Sequence, residues 1–200
     1  MQSDGKPVRD LFRLRTRGCE INGKDTFLWG VNWTPIRPNF ADVTTADVRV
    51  LIETYRNLGV NILRVWGGAI LEKDDFYDLC DEYGMLVWQD FTLSSSGLDN
   101  HPPDDPELVE VYARQARSII GRRQQHPSLL LWCGGNELYE TGKDAIGLLK
   151  GFPLAKTHPM LKRFEEVVAA EDPSRRFISS IRRANVRYVS ISLQRWSTSA

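Results

Sequence analysis

His126-Pro127-Ser128-Leu129-Leu130-Leu131-Trp132-Cys133-Gly134-Gly135-Asn136-Glu137 decides how this chain is read. Residues 128–133 have a strand's length and are apolar without alternation, the pattern of a strand covered on both faces in a parallel sheet. Pro127 starts the run and two glycines end it, so Asn136 and Glu137 fall where a parallel strand gives way to its loop. In α/β barrels that end of the sheet carries the chemistry. A carboxyl group among apolar neighbours and beside a neutral amide can stay protonated near neutral pH and serve as a general acid. The competing reading is a surface loop acid next to a turn-forming asparagine. The remainder of the chain has to decide between them.

Toward the N-terminus the same grammar repeats. Residues 85–91 read as a buried strand ending in Gln89 and Asp90, and residues 60–66 as another, closing on Trp66 and Gly67-Gly68. Arg64 lies inside that second run, which is costly unless the charge is paired. It either orients a carboxylate at the barrel mouth or snorkels to solvent. Residues 27–33 read as the first buried strand, with Asn32 and Trp33 at its end and a proline-rich loop behind. Helices separate the strands. Thr44 and Asp47 resemble a capping box, with apolar residues at helical spacing from Val48 to Leu58 and Gly59 as a stop. Residues 74–83 form a second amphipathic run ended by Gly84. A third opens at Asp104-Asp105-Pro106 and ends with Arg122 and Arg123, which suit the negative end of the helix dipole. A fourth opens at Thr157 and stops at Asp172-Pro173, before a fifth strand at residues 176–180. Two long loops, at residues 94–103 and 138–158, are of the kind that shape a substrate pocket.

Residues 11–24 are polar-apolar mixed: residues 11–15 alternate as a strand does, and Asn22-Gly23 is a strong hairpin signal. Residues 1–24 are expected to be an N-terminal hairpin or linker, residues 25–180 the barrel portion, and residues 181–200 a tail with clustered arginines and serines and no helix pattern.

Strand and helix in alternation mean a parallel sheet. A doubly wound sheet would want a glycine-rich phosphate loop after its first strand, and this chain has Asn32-Trp33-Thr34-Pro35 there. A barrel wants polar or aromatic residues at each strand end, and Asn32 and Trp33, Arg64 and Trp66, Gln89 and Asp90, and Asn136 and Glu137 supply four such ends in series. The expected fold is α/β: a (β/α)8 TIM barrel, incomplete, holding about the first four to five βα units.

A net charge of +0 gives no basic excess for binding nucleic acid. No apolar stretch is long enough to cross a bilayer. The first seven residues lack the apolar core of a signal peptide, which points to a cytoplasmic setting. Cys19, Cys80 and Cys133 cannot all pair and match no zinc spacing. His101, His126 and His158 lie in loops beside prolines, so neither a metal nor another cofactor is expected.

The stretches NGKDTFLWGVNWTPI (residues 22–36), GVNILRVWGG (59–68), FYDLCDEYGMLVWQDF (76–91) and HPSLLLWCGGNE (126–137) resemble the catalytic barrel of glycoside hydrolase family 2, and within it the β-mannosidases. The resemblance runs from residue 11 to residue 180. It implies a retaining exo-glycosidase acting on a carbohydrate, a terminal β-D-mannoside or related β-glycoside. Glu137 then matches the general acid/base, Asn136 the amide that binds the sugar 2-hydroxyl, and Arg64 the arginine that holds the nucleophile. Trp33, Trp66 and Asp90 match positions lining the sugar pocket. Where the family usually reads Gly-Asn, this chain has Gly134-Gly135. The family's nucleophile is a glutamate at the end of the seventh strand, and its upstream β-sandwich domains have no counterpart here. Retaining hydrolysis needs two carboxylates roughly 5–5.5 Å apart, and Glu140, Glu165, Glu166 and Glu171 lie in a loop or on a helix. The expectation is therefore a fragment whose reading frame is lost near Ser180, with the nucleophile absent from the chain. Two other readings stand beside it: an inactive remnant that binds sugar weakly at most, and β-galactosidase- or β-glucuronidase-type specificity. An aldolase would need a lysine at a strand end, and no strand here ends in one.

Overall fold

The computed structural model describes residues 12–15, 18–94, 101–139, 154 and 157–180, with side chains from residue 19 onward. Residues 1–11, 16–17, 95–100, 140–153, 155–156 and 181–200 lie outside the described residues.

Two sheets make up the structure. The first is antiparallel, in the order β1 (Phe12–Arg15), β2 (Gly18–Ile21), β3 (Lys24–Thr26). The expected Asn22-Gly23 turn joins β2 to β3 with both residues at positive φ, 51° and 75°, the backbone a two-residue hairpin with right-handed twist demands. The second sheet is parallel and follows chain order: β4 (Gly30–Trp33), β5 (Ile62–Val65), β6 (Leu86–Asp90), β7 (Leu129–Cys133), β8 (Arg176–Ile178). Helices α1 (Thr45–Asn57), α2 (Asp74–Tyr83), α3 (Pro106–Arg123) and α4 (Pro159–Glu171) connect the strands and pack on one face. This is a partial α/β barrel.

The caps follow from sequence. Thr44 accepts from the Asp47 amide while Asp47 Oδ2 accepts from the Thr44 amide at 2.9 Å, closing the capping box of α1. Gly59 and Gly84 sit at φ 82° and 66° just past α1 and α2, where a side chain would be strained. Asp105 caps α3 ahead of Pro106.

Period two along the strands sends alternate residues to opposite faces. Leu63, Val65, Val87, Leu129 and Trp132 join the main core beneath the helices. Ile62, Leu86 and Leu130 face the inner side and are covered by Cys19 of β2. The antiparallel sheet therefore plugs the N-terminal end of the half-barrel. The β6–β7 register slips by one residue, Val87 pairing with Leu129 but Trp88 with Leu131, which is why Leu129 and Trp132, three residues apart, both face the helices.

The first parallel strand starts later than its apolar run suggests. Phe27 and Trp29 are exposed, and the ladder there is extended by Asn61. Its side chain accepts from the Trp29 amide (2.8 Å) and donates to the Phe27 carbonyl (2.7 Å), doing for these residues what a strand partner would do. Among the described residues no helix is long and apolar enough to cross a membrane.

Candidate active site

At the C-terminal rim of the parallel sheet, three strands and the turn after β7 deliver polar groups to one point. Arg64 on β5 is the hub. Its Nη2 donates to Asp90 Oδ2 on β6 at 2.6 Å and to Asn136 Oδ1 at 2.9 Å. Its Nη1 donates to Asn32 Oδ1 on β4 at 3.1 Å, and its Nε lies 3.3 Å from Asp90 Oδ1. Asn32 and Arg64 are register partners in the ladder, so neighbouring parallel strands set the spacing. The arginine side chain keeps only 12% of its surface exposed. Its charge is paired inside the rim rather than carried out to solvent.

Asp90 is fully enclosed. Besides Arg64 it accepts from the Gly67 amide at 3.1 Å and from Trp88 Nε1 at 3.0 Å. Burial pushes its carboxyl above the usual range, while Arg64, the Gly67 amide and Cys133 pull it back. Gly67 has to be glycine: a Cβ there would run into the Phe91 carbonyl and the body of Asp90. Gly68 lies flat against the Trp66 indole, which stays half-buried at the rim, and any side chain at that position would displace the ring.

The turn after β7 is tightly determined. Gly134 approaches the Ser179 carbonyl so closely that a Cβ would collide with it. Gly135 is at φ 152° with a would-be Cβ 2.6 Å from the Leu93 carbonyl, so only glycine fits. The Asn136 amide donates to the same Leu93 carbonyl at 2.8 Å, and Asn136 Nδ2 lies 3.4 Å from Ser94 Oγ. Glu137 follows, half-buried, at φ 51°. A glutamate in the left-handed region is uncommon, and such backbones cluster where function fixes them. Leu138 is buried beyond it, and the Tyr139 carbonyl lies 3.0 Å from His101 Nδ1, tying this turn to the segment after β6.

Of the residues singled out from sequence, Asn136, Arg64 and Asp90 share one hydrogen-bonded set, Glu137 adjoins it through the backbone, and Trp66 stands on the same rim. Trp33 does not line the pocket. It is 2% exposed, packs on Phe76 and Tyr55, and donates from Nε1 to Glu72 Oε1 at 2.9 Å. The pleat explains this correction: Asn32 faces the inner side, so the adjacent Trp33 must face the helices. Sequence reading also missed Asn32 as a partner of Arg64, which only the register of β4 on β5 sets beside it.

His126 meets acidic groups. Its Nδ1 lies 2.7 Å from Asp81 Oδ2 and 4.0 Å from Asp78, at the opposite end of the sheet from the rim. Asp81 Oδ1 accepts from the Ser128 amide as well, so the trio fastens the entry to β7 onto α2.

Comparison with known proteins follows the same line. The profile described as "Glycosyl hydrolases family 2, TIM barrel domain" matches residues 12–180. A β-mannosidase of Rattus norvegicus is 34% identical over 171 residues, covering 80% of this chain and 18% of its own length. The crystal structure of a β-D-mannosidase from Dictyoglomus thermophilum superposes with a TM-score of 0.67 at 31% identity, over 85% of this chain and 21% of that one. A Bacteroides uniformis β-glucuronidase superposes with a TM-score of 0.68 at 23% identity, over 91% of this chain and 21% of that one, which speaks for the fold alone. The chain thus spans about a fifth of the length of the relatives it matches.

Proposed function

The chain belongs to the glycosyl hydrolases family 2, and from that premise we propose that it carries the acid/base side of a β-mannosidase-like active site, with Glu137 as proton donor. The reaction is retaining hydrolysis of a terminal β-D-mannosyl residue, as the names of the rat and Dictyoglomus relatives suggest. Residues 25–180 serve as the first part of the barrel, with the antiparallel sheet beneath it.

The observation that carries this reading is the Arg64 hub. It fixes Asn136 by its oxygen, and the next residue along the backbone is Glu137. In the first step Glu137 gives its proton to the glycosidic oxygen as that bond breaks, and a carboxylate on the other face of the sugar takes the glycosyl group. In the second step Glu137 removes a proton from water, which displaces the enzyme carboxylate. Asp90 is a poor nucleophile in this arrangement, because Arg64, Trp88 and the Gly67 amide already occupy its oxygens. The nucleophile is assigned to a strand outside the five described. With Asn136 Oδ1 engaged by Arg64, its Nδ2 is the group turned toward a sugar hydroxyl, with Ser94 Oγ beside it.

The test is a graft of residues 12–180 into the Dictyoglomus β-D-mannosidase in place of the matching segment. Hydrolysis of 4-nitrophenyl β-mannoside is expected. Glu137→Gln should lower kcat/KM by about 10²–10⁴-fold, and less for a 2,4-dinitrophenyl leaving group, which needs little protonation. A folded graft that turns over equally well with Glu137→Gln ends the assignment, and a folded graft with no turnover in any form favours the inactive-remnant reading.

A further inference from the structure

We infer that Ser180, just past β8, is a positioning residue for the Glu137 turn; the catalytic side of this inference rests on the reading of Glu137 given above. Ser180 Oγ donates to the Gly135 carbonyl at 3.2 Å and accepts from the Leu138 amide at 2.9 Å. A hydroxyl has one donor and two acceptor sites, so one side chain satisfies two backbone groups that bracket Asn136 and Glu137. No other described side chain holds both ends of that turn.

Four features converge on this clamp. Glu137 is held in a left-handed backbone that a glutamate does not choose unaided, so the surroundings must impose it. Gly134 lacks a Cβ at the place where one would strike the Ser179 carbonyl, which lets the end of β8 close onto the turn. The ladder continues there, with the Gly134 amide donating to the Ile178 carbonyl at 2.8 Å. On the opposite flank the Leu93 carbonyl takes the Asn136 amide, so the turn is pinned from both neighbouring strands. Removing the hydroxyl leaves the Leu138 amide without its acceptor and lets Glu137 relax from φ 51°, which changes the direction in which its side chain leaves the turn.

The experiment has two arms. In the full 200-residue chain, amide hydrogen exchange is followed at Leu138, with Val87 of β6 as an internal reference. Ser180→Ala is expected to speed exchange at Leu138 by about tenfold or more relative to Val87, the equivalent of one lost hydrogen bond, while Ser180→Thr, which keeps a hydroxyl, should not. If Ser180→Ala fails to fold, Ser180→Cys carries the comparison with a smaller rise, because sulfur is a weak donor and acceptor. Unchanged exchange at Leu138 in the folded variant overturns the clamp. In the graft, Ser180→Ala should lower kcat for 4-nitrophenyl β-mannoside by roughly tenfold or more with little change in KM, less for the 2,4-dinitrophenyl substrate, and Ser180→Thr should restore it. Faster exchange without that kcat loss, in a graft where Glu137→Gln does abolish turnover, overturns the positioning role. Turnover indifferent to Glu137→Gln removes the reading of the acid instead and leaves the exchange result to judge the clamp.

Discussion

Arg64 grips Asp90 with two prongs across adjacent parallel strands, Nη2 to Oδ2 at 2.6 Å and Nε to Oδ1 at 3.3 Å. A pair enclosed to this degree is expensive to break from one side, because the remaining charge loses its partner without gaining water. Asp90→Ala is expected to destabilise the fold by about 3–5 kcal/mol, read as a lower urea midpoint at unchanged m value. Arg64→Leu with Asp90→Leu should recover part of that loss. A midpoint for Asp90→Ala within experimental scatter of the parent would mean that the pair is not held as described.

The start of α1 should respond to acid. The Thr44 amide and hydroxyl, with Arg37 adding to them, hold the Asp47 carboxyl below its ordinary value of 3.8. A depressed folded-state value gives stability that is present above the unfolded value and lost as pH falls through the folded one, so the loss belongs below about pH 4. Thr44→Ala should cost about 1 kcal/mol at neutral pH. It should also flatten the fall in helicity between pH 4 and pH 2 in circular dichroism. An acid transition identical in the variant would remove the box from the account.

Thiol chemistry offers a probe of the core. Cys80 and Cys133 are buried, and burial raises both thiols well above their usual range; Cys19 is pushed up to about 11. The thiolate is the reactive form. Ellman's reagent at pH 8 is therefore expected to leave all three cysteines unmodified in the native chain and to react with all three in 6 M urea. Rapid native-state reaction at Cys133 would show that the rim beneath Asp90 is open.

Arg175 deserves a conservative replacement, since its fork is what the structure uses. It donates to the carbonyls of Leu129 (2.6 Å), Gln124 (2.9 Å) and His126 (2.8 Å), and to Asp172 Oδ2 at 2.8 Å. A lysine carries the same charge without that planar geometry. Arg175→Lys should lower stability by about 2 kcal/mol or more, and differential scanning calorimetry would register it. An unchanged melting temperature would show the carbonyls to be satisfied by other means.

Much of the framework was legible because parallel strands are buried on both faces and announce themselves as unbroken apolar runs. The Thr44–Asp47 box, the Asn22-Gly23 turn and the glycine stops are local devices, so a short window of sequence contains all their parts. Trp33 was misread for a different reason: it was grouped with Asn32 as a strand end, although neighbours on a strand point to opposite sides. Asn32 beside Arg64 follows from the register, which no single strand reveals. Arg123 was legible only as a helix-end charge. The structure buries it over the Tyr77 ring, with Nη2 on the Glu72 carbonyl, and those partners lie some fifty residues earlier in the chain. Arg175 was missed outright for the same reason, as most of its carbonyl partners belong to the turn that leads into β7.

The parallel strands stand side by side in the order in which they are made. A ribosome releases each stave next to the one already laid, so the nascent chain always finds its docking edge behind it rather than ahead. Loop closure at each step then spans a single crossover, which keeps the entropy of assembly low even for a sheet with no hairpins of its own.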